Sequence, residues 1–235
     1  DPIMAIAKKH NLKVVEDCCQ CVGGGYKGRM VGSIGHMGAF SFNFYKNMTC
    51  GEGGAVVSSD DDAIQRAACM IDCCSFYWDG RDDTFIPHIA NGSRASELEG
   101  AMMNVQLDRL PGMIKSMRKQ KQQILEETTG IGLKPIKANS LEWECGTHVG
   151  YIFKTPEQAE KFAGMAGGFI TARTGRHIYT EWDPIFAHQG GHVPAMNPYN
   201  MPANKKCRTK YTKDMCQKSL DILNRAVLIG THPDR

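Results

Sequence analysis

Short apolar runs with strand character alternate with amphipathic helical segments in the N-terminal part of this chain. Residues 2–10 have a helical pattern opened by Asp-Pro, and the apolar run 12–15 is typical of a buried strand. Two further strand-like runs, 39–42 and 55–58, precede a second helical segment at 60–74. This succession favours an α/β fold built on a mixed or parallel sheet.

The C-terminal part has a different pattern, and we expect a domain boundary between about residues 111 and 130. Residues 93–110 and 112–128 are predicted to form two helices that Pro111 separates. The first has four apolar residues near one face: Leu98, Met102, Val105 and Leu110. The segments predicted beyond the boundary are strands at 149–154 and 168–172, helices at 156–165 and 213–226, and a long loop at 174–206.

The composition excludes some classes of function. The chain has 235 residues, 42% of them hydrophobic and 23% charged, and a net charge of +3. Its Lys and Arg residues are scattered, so we expect neither a nucleic-acid surface nor a membrane surface. No apolar run approaches the roughly 20 residues that span a bilayer, and no signal-peptide pattern opens the chain.

The cysteines indicate free thiols. There are 10, and several are crowded, as in Cys18-Cys19-x-Cys21 and Cys73-Cys74. This spacing fits neither a disulfide framework nor a zinc site. We expect mostly buried thiols in a reducing cytoplasm and no metal.

Four polar side chains form the candidate site. Asp17 directly follows a predicted strand, and Gln20 lies three residues further on. Ser41 lies in the next strand-like run, and Lys46 follows it, between an aromatic run and a Gly-Glu-Gly turn. In α/β sheets, ligands bind at the carboxyl ends of strands, where these residues are predicted to lie.

This set of side chains suits pyridoxal phosphate. A lysine in an apolar setting has a lowered pKa, and its neutral amine can attack an aldehyde. A carboxylate such as that of Asp17 keeps the pyridine nitrogen protonated, so the ring can accept electrons. Ser41 and free backbone N–H groups would bind the phosphate.

Each residue also has a plain structural interpretation. Lys46 could be a surface turn residue, and Asp17 could be a helix N-cap. Gln20 could be a solvated loop residue, and Ser41 could be a core hydroxyl bonded to the backbone. The residue types alone do not decide between the two interpretations.

A family resemblance favours the cofactor site. The stretches VVEDCCQ, GSIGHMGAFSF, KNMTCGEGGAVV and SRASELEGAMMNVQL, in this order and spacing, resemble the DegT/DnrJ/EryC1/StrS family of sugar aminotransferases. The resemblance covers residues 1 to about 127 well and the rest loosely. It implies the PLP-dependent fold type I, with residues 1–115 as the C-terminal portion of the large PLP-binding domain and residues 116–235 as a smaller α+β domain, incomplete at its end.

The resemblance also assigns roles by position. It implies that Lys46 holds the cofactor covalently and is the catalytic base, that Asp17 lies under the pyridine nitrogen and that Gln20 lies beside the ring. Ser41 corresponds to the phosphate-binding serine. Asn91 corresponds, one residue out of register, to an asparagine that reaches the phosphate of a partner subunit.

Further expectations follow from the family. Its members carry an N-terminal portion ahead of the residue where this chain begins, with another phosphate-binding loop, and they work as homodimers with the active site at the interface. His36 stands where the family usually has Asp. Some members are dehydratases with histidine in place of the lysine, and Lys46 argues against that chemistry.

A dinucleotide site is the main competing interpretation of the sequence. Residues 23–28 read Gly-Gly-Gly-Tyr-Lys-Gly, which fits the G-x-G-x-x-G pattern. That motif requires its glycines to open a helix, whereas a turn-rich segment follows here. We therefore interpret these glycines as hairpin turns and not as an NAD site.

Three other groups keep two interpretations. The aromatic residues Phe76, Tyr77 and Trp78 could line a sugar site or belong to an interface core. An arginine among Arg173, Arg176 and His177 could bind a donor carboxylate or a phosphate, or the group could be a solvated turn. The basic residues of segment 112–128 are most simply a solvated face: Lys115, Arg118, Lys119 and Lys121.

The function predicted from these observations is transamination of a keto-sugar, nucleotide-linked or a sugar acid, with glutamate as amino donor, for aminosugar or polysaccharide biosynthesis. The alternative is a non-catalytic or regulatory protein on the same fold.

Overall fold

The chain forms two compact units. The computed structural model describes residues 1–72, 74, 85–207 and 210–233, except for the side chains of Arg176 and Cys207. The first unit consists of residues 1–123, 138–147 and 231–235, and the second of residues 124–137 and 148–230. The domain division after residue 115 stays a prediction.

In the first unit one helix precedes five strands and two helices follow them, and in the second unit helices lie between the strands. The helices are α1 (Pro2–Lys9), α2 (Asp61–Ile71), α3 (Glu97–Gly130), α4 (Pro156–Ala166), α5 (Asp183–Phe186) and α6 (Gln217–Arg225). The strands are β1 (Val15–Asp17), β2 (Gly25–Tyr26), β3 (Arg29–Met30), β4 (Met37–Ser41), β5 (Gly54–Ser58), β6 (His148–Ile152), β7 (Phe169–Ile170) and β8 (Ala226–Gly230).

The main sheet of the first unit is mixed. Its order is β1-β4-β5, with β1 parallel to β4 and β5 antiparallel to β4. Helix α2 begins after Asp60, whose side chain accepts a hydrogen bond from the backbone N–H of Ala63. The predicted α/β fold with a mixed sheet is therefore confirmed.

Methionines and aliphatic residues form the core of the first unit. Val22, Met48 and Met113 make one buried cluster, and Ile114, Met117 and Cys145 make another. Three of these six residues lie on one stretch of α3, so this helix connects the two clusters. Burying a side chain of this size contributes about 1.5–3 kcal/mol.

Helix α3 is continuous through Pro111, and the predicted interruption is wrong. A proline inside a helix removes one backbone hydrogen bond and costs about 3 kcal/mol. Pro111 itself is exposed. The buried residues that follow it, Met113, Ile114 and Met117, hold the helix against the core. Tertiary packing therefore outweighs the local preference of proline.

The predicted apolar face of this helix is only partly buried. Leu98, Met102 and Val105 are exposed, whereas Leu110 packs against both core clusters. The packed side of the N-terminal half is instead marked by Met103, seven residues before Leu110.

The glycines at 23–28 belong to a hairpin, as predicted. Strands β2 and β3 pair antiparallel, and the two residues between them, Lys27 and Gly28, have φ values of 48° and 80°. Both angles fit a tight hairpin turn that favours glycine. These glycines do not open a helix, so they lack the geometry of a dinucleotide fingerprint.

The second unit contains an antiparallel sheet of order β6-β8-β7. Helix α4 begins after Thr155, whose hydroxyl accepts a hydrogen bond from Gln158 N, and ends at Gly167 with φ of 64°. Its residues Ala159 and Ala163 pack with Ile170 and Val227. The predicted strand–helix–strand order of this region is confirmed.

Some boundaries differ from those predicted. Asp17 was expected directly after the first strand. It is instead the last residue of β1, because pairing with β4 extends the strand to it. The central strand β8 was not predicted, although the apolar run Val227–Ile229 is typical of a buried strand. The segment 174–206 contains short 3₁₀ turns and α5. None of the helices in the described ranges is long and apolar enough to cross a membrane.

Candidate functional site

The ends of two parallel strands bring Asp17 and Ser41 to the same edge of the sheet. Asp17 pairs with Ala39, two residues before Ser41 on the neighbouring strand β4. Because strands rise by about 3.3 Å per residue, Ser41 lies about 7 Å further along this edge. The carboxyl ends of parallel strands are where α/β proteins bind ligands.

Glu16, which sequence reasoning missed, fixes the loop that leads into β4. Its carboxylate accepts hydrogen bonds from the backbone N–H groups of Gly32 (3.0 Å), Ile34 (2.7 Å) and Gly35 (2.6 Å). Burial raises the pKa of Glu16, but these hydrogen bonds outweigh burial, and the net pKa is lowered. The carboxylate thus stays ionised and ties β1 to the start of β4.

Cys19 orients the carboxylate of Asp17. The backbone N–H of Cys19 donates to Asp17 Oδ1 at 3.1 Å. Hydrogen bonds from the side chain and the backbone of Cys19 lower the pKa of Asp17, and the charge of Lys46 lowers it further. Asp17 is exposed and keeps its negative charge, as a partner for a protonated ring nitrogen must.

Asn43 shapes the segment 42–53, here called the lysine loop. Its Oδ1 accepts from Tyr45 N at 3.1 Å, and its backbone carbonyl accepts from Lys46 N at 2.9 Å. Its amide also donates to Glu52 Oε1 at 2.8 Å across the loop. An asparagine that accepts from a backbone group two residues on is a common turn device.

Three further contacts anchor the lysine loop to the first unit. Met48 is 4% exposed and packs in the core cluster with Val22 and Met113. Asn47 Nδ2 donates to Val22 O at 2.9 Å, and Gln106 Nε2 of α3 donates to Thr49 O at 2.9 Å. Gln106 lies on the same side of α3 as the packed apolar residues. A polar residue among these apolar positions was the sequence feature that could have indicated this contact.

Lys46 is held by its backbone while its side chain is half-buried. Within the described part of the chain, its Nζ makes neither a hydrogen bond nor a salt bridge, and its charge acts on Asp17 and Cys19. The preceding Phe44 and Tyr45 are exposed, at 69% and 76%. In the described structure these two rings therefore do not provide the apolar surroundings expected for Lys46.

The predicted site residues are only partly brought together. Asp17 and Lys46 interact, and Ser41 shares their sheet edge. Gln20 is exposed, and its carbonyl accepts from Cys145 Sγ at 3.7 Å. Asn91 is exposed in the segment between α2 and α3, and across the described residues no hydrogen bond connects it to the other four.

His36 supports the strand that carries Asp17. Its Nδ1 accepts a hydrogen bond from Val14 N at 2.9 Å, and its backbone N–H donates to Val14 O at 2.8 Å. A carboxylate oxygen can accept the first bond equally well. This contact therefore suits both the histidine found here and the aspartate that the family resemblance implies at this position.

The remaining groups have varied outcomes. Arg173 pairs with Glu160 at 2.9 Å and both side chains are exposed, which fits the solvated turn. The solvated-face interpretation of the basic helix is wrong for two residues: Lys121 is 11% exposed and pairs with Glu144 at 2.5 Å, and Arg118 Nε donates to Glu144 O at 2.7 Å. Phe76, Tyr77 and Trp78 lie outside the described residues.

The eight cysteines described are all free, and Cys18, Cys50, Cys69 and Cys145 are buried. This agrees with the thiols expected from their spacing.

The sequence matches the model of the DegT/DnrJ/EryC1/StrS aminotransferase family over residues 1–234. It is 33% identical over 114 residues to GDP-perosamine synthase of Caulobacter vibrioides, covering 47% of this chain and 29% of the relative. It is 30% identical over 197 residues to the pleiotropic regulatory protein of Geobacillus stearothermophilus, covering 81% and 50%. It is 26% identical to L-glutamine:2-deoxy-scyllo-inosose aminotransferase of Streptomyces fradiae, covering 100% and 58%.

The fold matches a solved aminotransferase from Psychrobacter cryohalolentis. The TM-score is 0.70 with 24% sequence identity, and the match covers 98% of this chain and 60% of that protein. This likeness shows the fold. The chain spans at most 60% of the length of the relatives and the solved structure named here.

Proposed function

Because the chain belongs to the DegT/DnrJ/EryC1/StrS aminotransferase family, we propose that the full-length protein transfers an amino group from glutamate to a keto-sugar with pyridoxal phosphate as cofactor. The observation that carries this proposal is that Asp17 ends β1 and Lys46 follows β4, two neighbouring parallel strands whose carboxyl ends meet at one edge of the sheet. These are the lysine and the carboxylate that such a cofactor needs.

The residues present fit the cofactor. Lys46 Nζ has no competing hydrogen bond or salt bridge in the described ranges, Asp17 keeps its charge, and the Ser41 hydroxyl lies at the end of β4. When bound, pyridoxal phosphate supplies an aldehyde carbon that amines attack and a ring that accepts electrons from the substrate. Lys46 would hold the cofactor covalently, Asp17 and Gln20 its ring, and Ser41 its phosphate.

Lys46 has two tasks in this proposal. Its amine would hold the cofactor when no substrate is bound and, when free, would act as the base that moves a proton at the substrate carbon. The lysine loop suits both tasks, because Asn43 and Met48 fix the backbone on each side of Lys46. Only the lysine side chain then has to move.

Asp17 has an electrostatic task. An ionised carboxylate favours the protonated form of a neighbouring ring nitrogen, and that positive ring withdraws electrons from the substrate. The hydrogen bonds from Cys19 keep the carboxylate ionised and oriented. Asn91 is proposed to reach the phosphate of a partner subunit in a homodimer.

The names of the relatives support an amino transfer to a sugar or a cyclitol, since they include a perosamine synthase and an inosose aminotransferase. We propose a keto-sugar acceptor, nucleotide-linked or a sugar acid. Glutamate is the proposed donor, and glutamine, which the name of the Streptomyces relative contains, is the donor to compare it with.

A regulatory role is the second candidate, because one relative is named a regulatory protein. A purely regulatory protein does not need an amine that is free to react at position 46. The two candidates therefore differ in what happens when Lys46 is replaced.

The test uses the full-length protein with pyridoxal phosphate and measures the 2-oxo acid released from the donor, which is 2-oxoglutarate from glutamate and 2-oxoglutaramate from glutamine. We expect Lys46→Ala to abolish release and Asp17→Ala to lower its rate by orders of magnitude, while circular dichroism shows both folds intact. Lys119→Ala, an exposed lysine on α3, is the matched control and should keep full activity. Release that continues in Lys46→Ala, or no release from wild type with either amino donor, would contradict the proposal.

A further inference from the structure

Cys21 and Cys145 lie side by side in the first unit, although they are far apart in the sequence. Cys145 is 4% exposed and belongs to the core cluster with Ile114 and Met117. Cys21 is half-buried and packs against the same cluster. Cys145 Sγ also lies 3.7 Å from the carbonyl oxygen of Gln20, the residue before Cys21. The two thiols therefore share one small space.

The backbone around both cysteines is held in place. Gly25 N donates to Trp143 O at 2.6 Å, which joins the segment after Cys21 to the segment before Cys145. On the other side, Lys121 and Arg118 of α3 bind the side chain and the carbonyl of Glu144. A disulfide requires that the two Cα atoms lie within about 7 Å of each other and that the side chains face each other. The contacts described here hold both segments side by side, and the side chains of Cys21 and Cys145 hydrogen bond to each other.

We propose that Cys21 and Cys145 form a reversible intrachain disulfide by exchange with a low-molecular-weight disulfide such as oxidised glutathione. This modification site does not depend on the function proposed above.

The exchange balances in two steps. Cys145, which loses its proton first, takes up the proton of Cys21 while the more exposed Cys21 sulfur attacks one sulfur of oxidised glutathione. That S–S bond breaks, and one glutathione leaves as a thiolate, which takes up the proton that Cys145 had released. Cys145 then attacks the Cys21 sulfur of the mixed disulfide and expels the second glutathione, which takes up the Cys145 proton. Two protein thiols are oxidised, and one small disulfide is reduced to two thiols.

The electrostatics support Cys145 as the group that takes the proton from Cys21. A side-chain hydrogen bond with Cys21 lowers the pKa of Cys145 to about 6, against the opposing effect of burial. Thiolates, not thiols, attack disulfides. The same interaction raises the pKa of Cys21, so the first proton lost by the pair leaves a thiolate on Cys145.

Oxidation would change the loop that carries Gln20. Cys145 in a disulfide has no S–H, so the carbonyl of Gln20 loses the donor seen at 3.7 Å. The bond would also draw the two sulfurs to about 2.05 Å and tie segment 138–147 to the turn after Asp17. Any effect of this on cofactor binding rests on the proposed function.

The test maps the disulfide directly. Full-length protein is equilibrated in mixtures of oxidised and reduced glutathione, free thiols are alkylated, and a tryptic digest is analysed by tandem mass spectrometry. The peptide 138–154 contains a single cysteine, Cys145, which makes its partner readable. We expect oxidising mixtures to convert this peptide mainly into a pair with peptide 14–27, two hydrogens lighter than the separate thiols, and reducing mixtures to reverse it.

Substitutions identify the pair. Cys21→Ser and Cys145→Ser should each abolish the linked peptide. Cys69→Ser is the matched control, because Cys69 is also buried but bonds to the backbone of His88, and it should leave the link unchanged. The disulfide map of the wild-type protein tests the proposal even if a variant fails to fold. A Cys145 that stays alkylated in every mixture, carries glutathione, or links to Cys18 or Cys19 would overturn the proposal.

Discussion

The charge of Lys46, in the loop after β4, acts on the carboxylate of Asp17 at the end of β1. Hydrogen bonds from Cys19 have the larger effect, and together with Lys46 they lower the pKa of Asp17. One residue ends β1, and the other lies in the loop after β4. The parallel pairing of these two strands is what brings a lysine and a carboxylate of distant sequence positions to one place.

The carboxylate of Glu16 should control the acid stability of the first unit. Its folded-state pKa is lowered by three backbone N–H donors, which outweigh its burial. The stability it adds is therefore fully present above its unfolded pKa of about 4.3 and is lost as pH falls through the lower folded pKa. We expect Glu16→Gln to lower the free energy of unfolding by about 1–2 kcal/mol at pH 7, measured by urea denaturation.

The same measurement at lower pH tests the cause. The difference between wild type and Glu16→Gln should shrink as pH falls below about 4. Glu142→Gln, an exposed carboxylate, serves as the control and should change stability by less than about 0.5 kcal/mol. A difference in the free energy of unfolding between wild type and Glu16→Gln that stays constant from pH 7 to pH 3 would show that the charge of the carboxylate does not cause the stabilisation.

Pro111 should destabilise the helix that contains it. Since α3 continues through this residue, Pro111→Ala restores a backbone donor and should raise the free energy of unfolding by about 1–3 kcal/mol. Gly112→Ala, next to it and with open space around the added Cβ, should add about 1 kcal/mol. Thermal unfolding followed by circular dichroism at 222 nm is the measurement. If neither variant gains stability, the helix is interrupted there.

Lys121 should matter far more than its neighbour Lys119. Its side chain is 11% exposed and pairs with Glu144, so Lys121→Met would leave a half-buried carboxylate without its partner. We expect a loss of about 1–3 kcal/mol in the free energy of unfolding, against less than about 0.5 kcal/mol for Lys119→Met. Equal losses in guanidinium or urea denaturation would mean that the pair adds nothing specific.

His36 should be replaceable by aspartate but not by leucine. Both His36 Nδ1 and a carboxylate oxygen can accept the hydrogen bond from Val14 N, which leucine cannot. His36→Leu should cost about 1 kcal/mol or more, because the N–H of Val14 then loses its acceptor. His36→Asp should stay nearer to wild type in the same urea denaturation. The reverse order of these two variants would contradict the proposed role of His36.

The sequence predicts the order of elements well because most are set by local patterns. Asp60 and Thr155 open helices with the capping chemistry their residue types favour, and Gly28 closes the hairpin. Pro111 shows the limit of such rules, since its effect depends on packing that only the folded chain has. The strand β8 was missed because its apolar run, Val227–Ile229, directly follows a predicted helix and is too short to show a period.

The residue types of the candidate site were expected from the sequence, but the contacts that hold these residues in place were not. The family resemblance implies that Asp17, Ser41 and Lys46 are site residues, whereas the sequence analysis did not identify the residues that hold them in place. Glu16 binds the loop that follows the β2–β3 hairpin, and Gln106 reaches the lysine loop from α3. The contact of Glu16 is set by the fold and carries no local signal, whereas Gln106 differs from the apolar residues packed on the same side of α3.

The covalent attachment of the cofactor to Lys46 is the most direct test of the central claim. Full-length protein is incubated with pyridoxal phosphate, reduced with borohydride, digested and mapped by mass spectrometry. We expect a pyridoxyl group on the peptide that contains Lys46, and none in Lys46→Ala. Labelling spread over other lysines and unchanged in Lys46→Ala would contradict it.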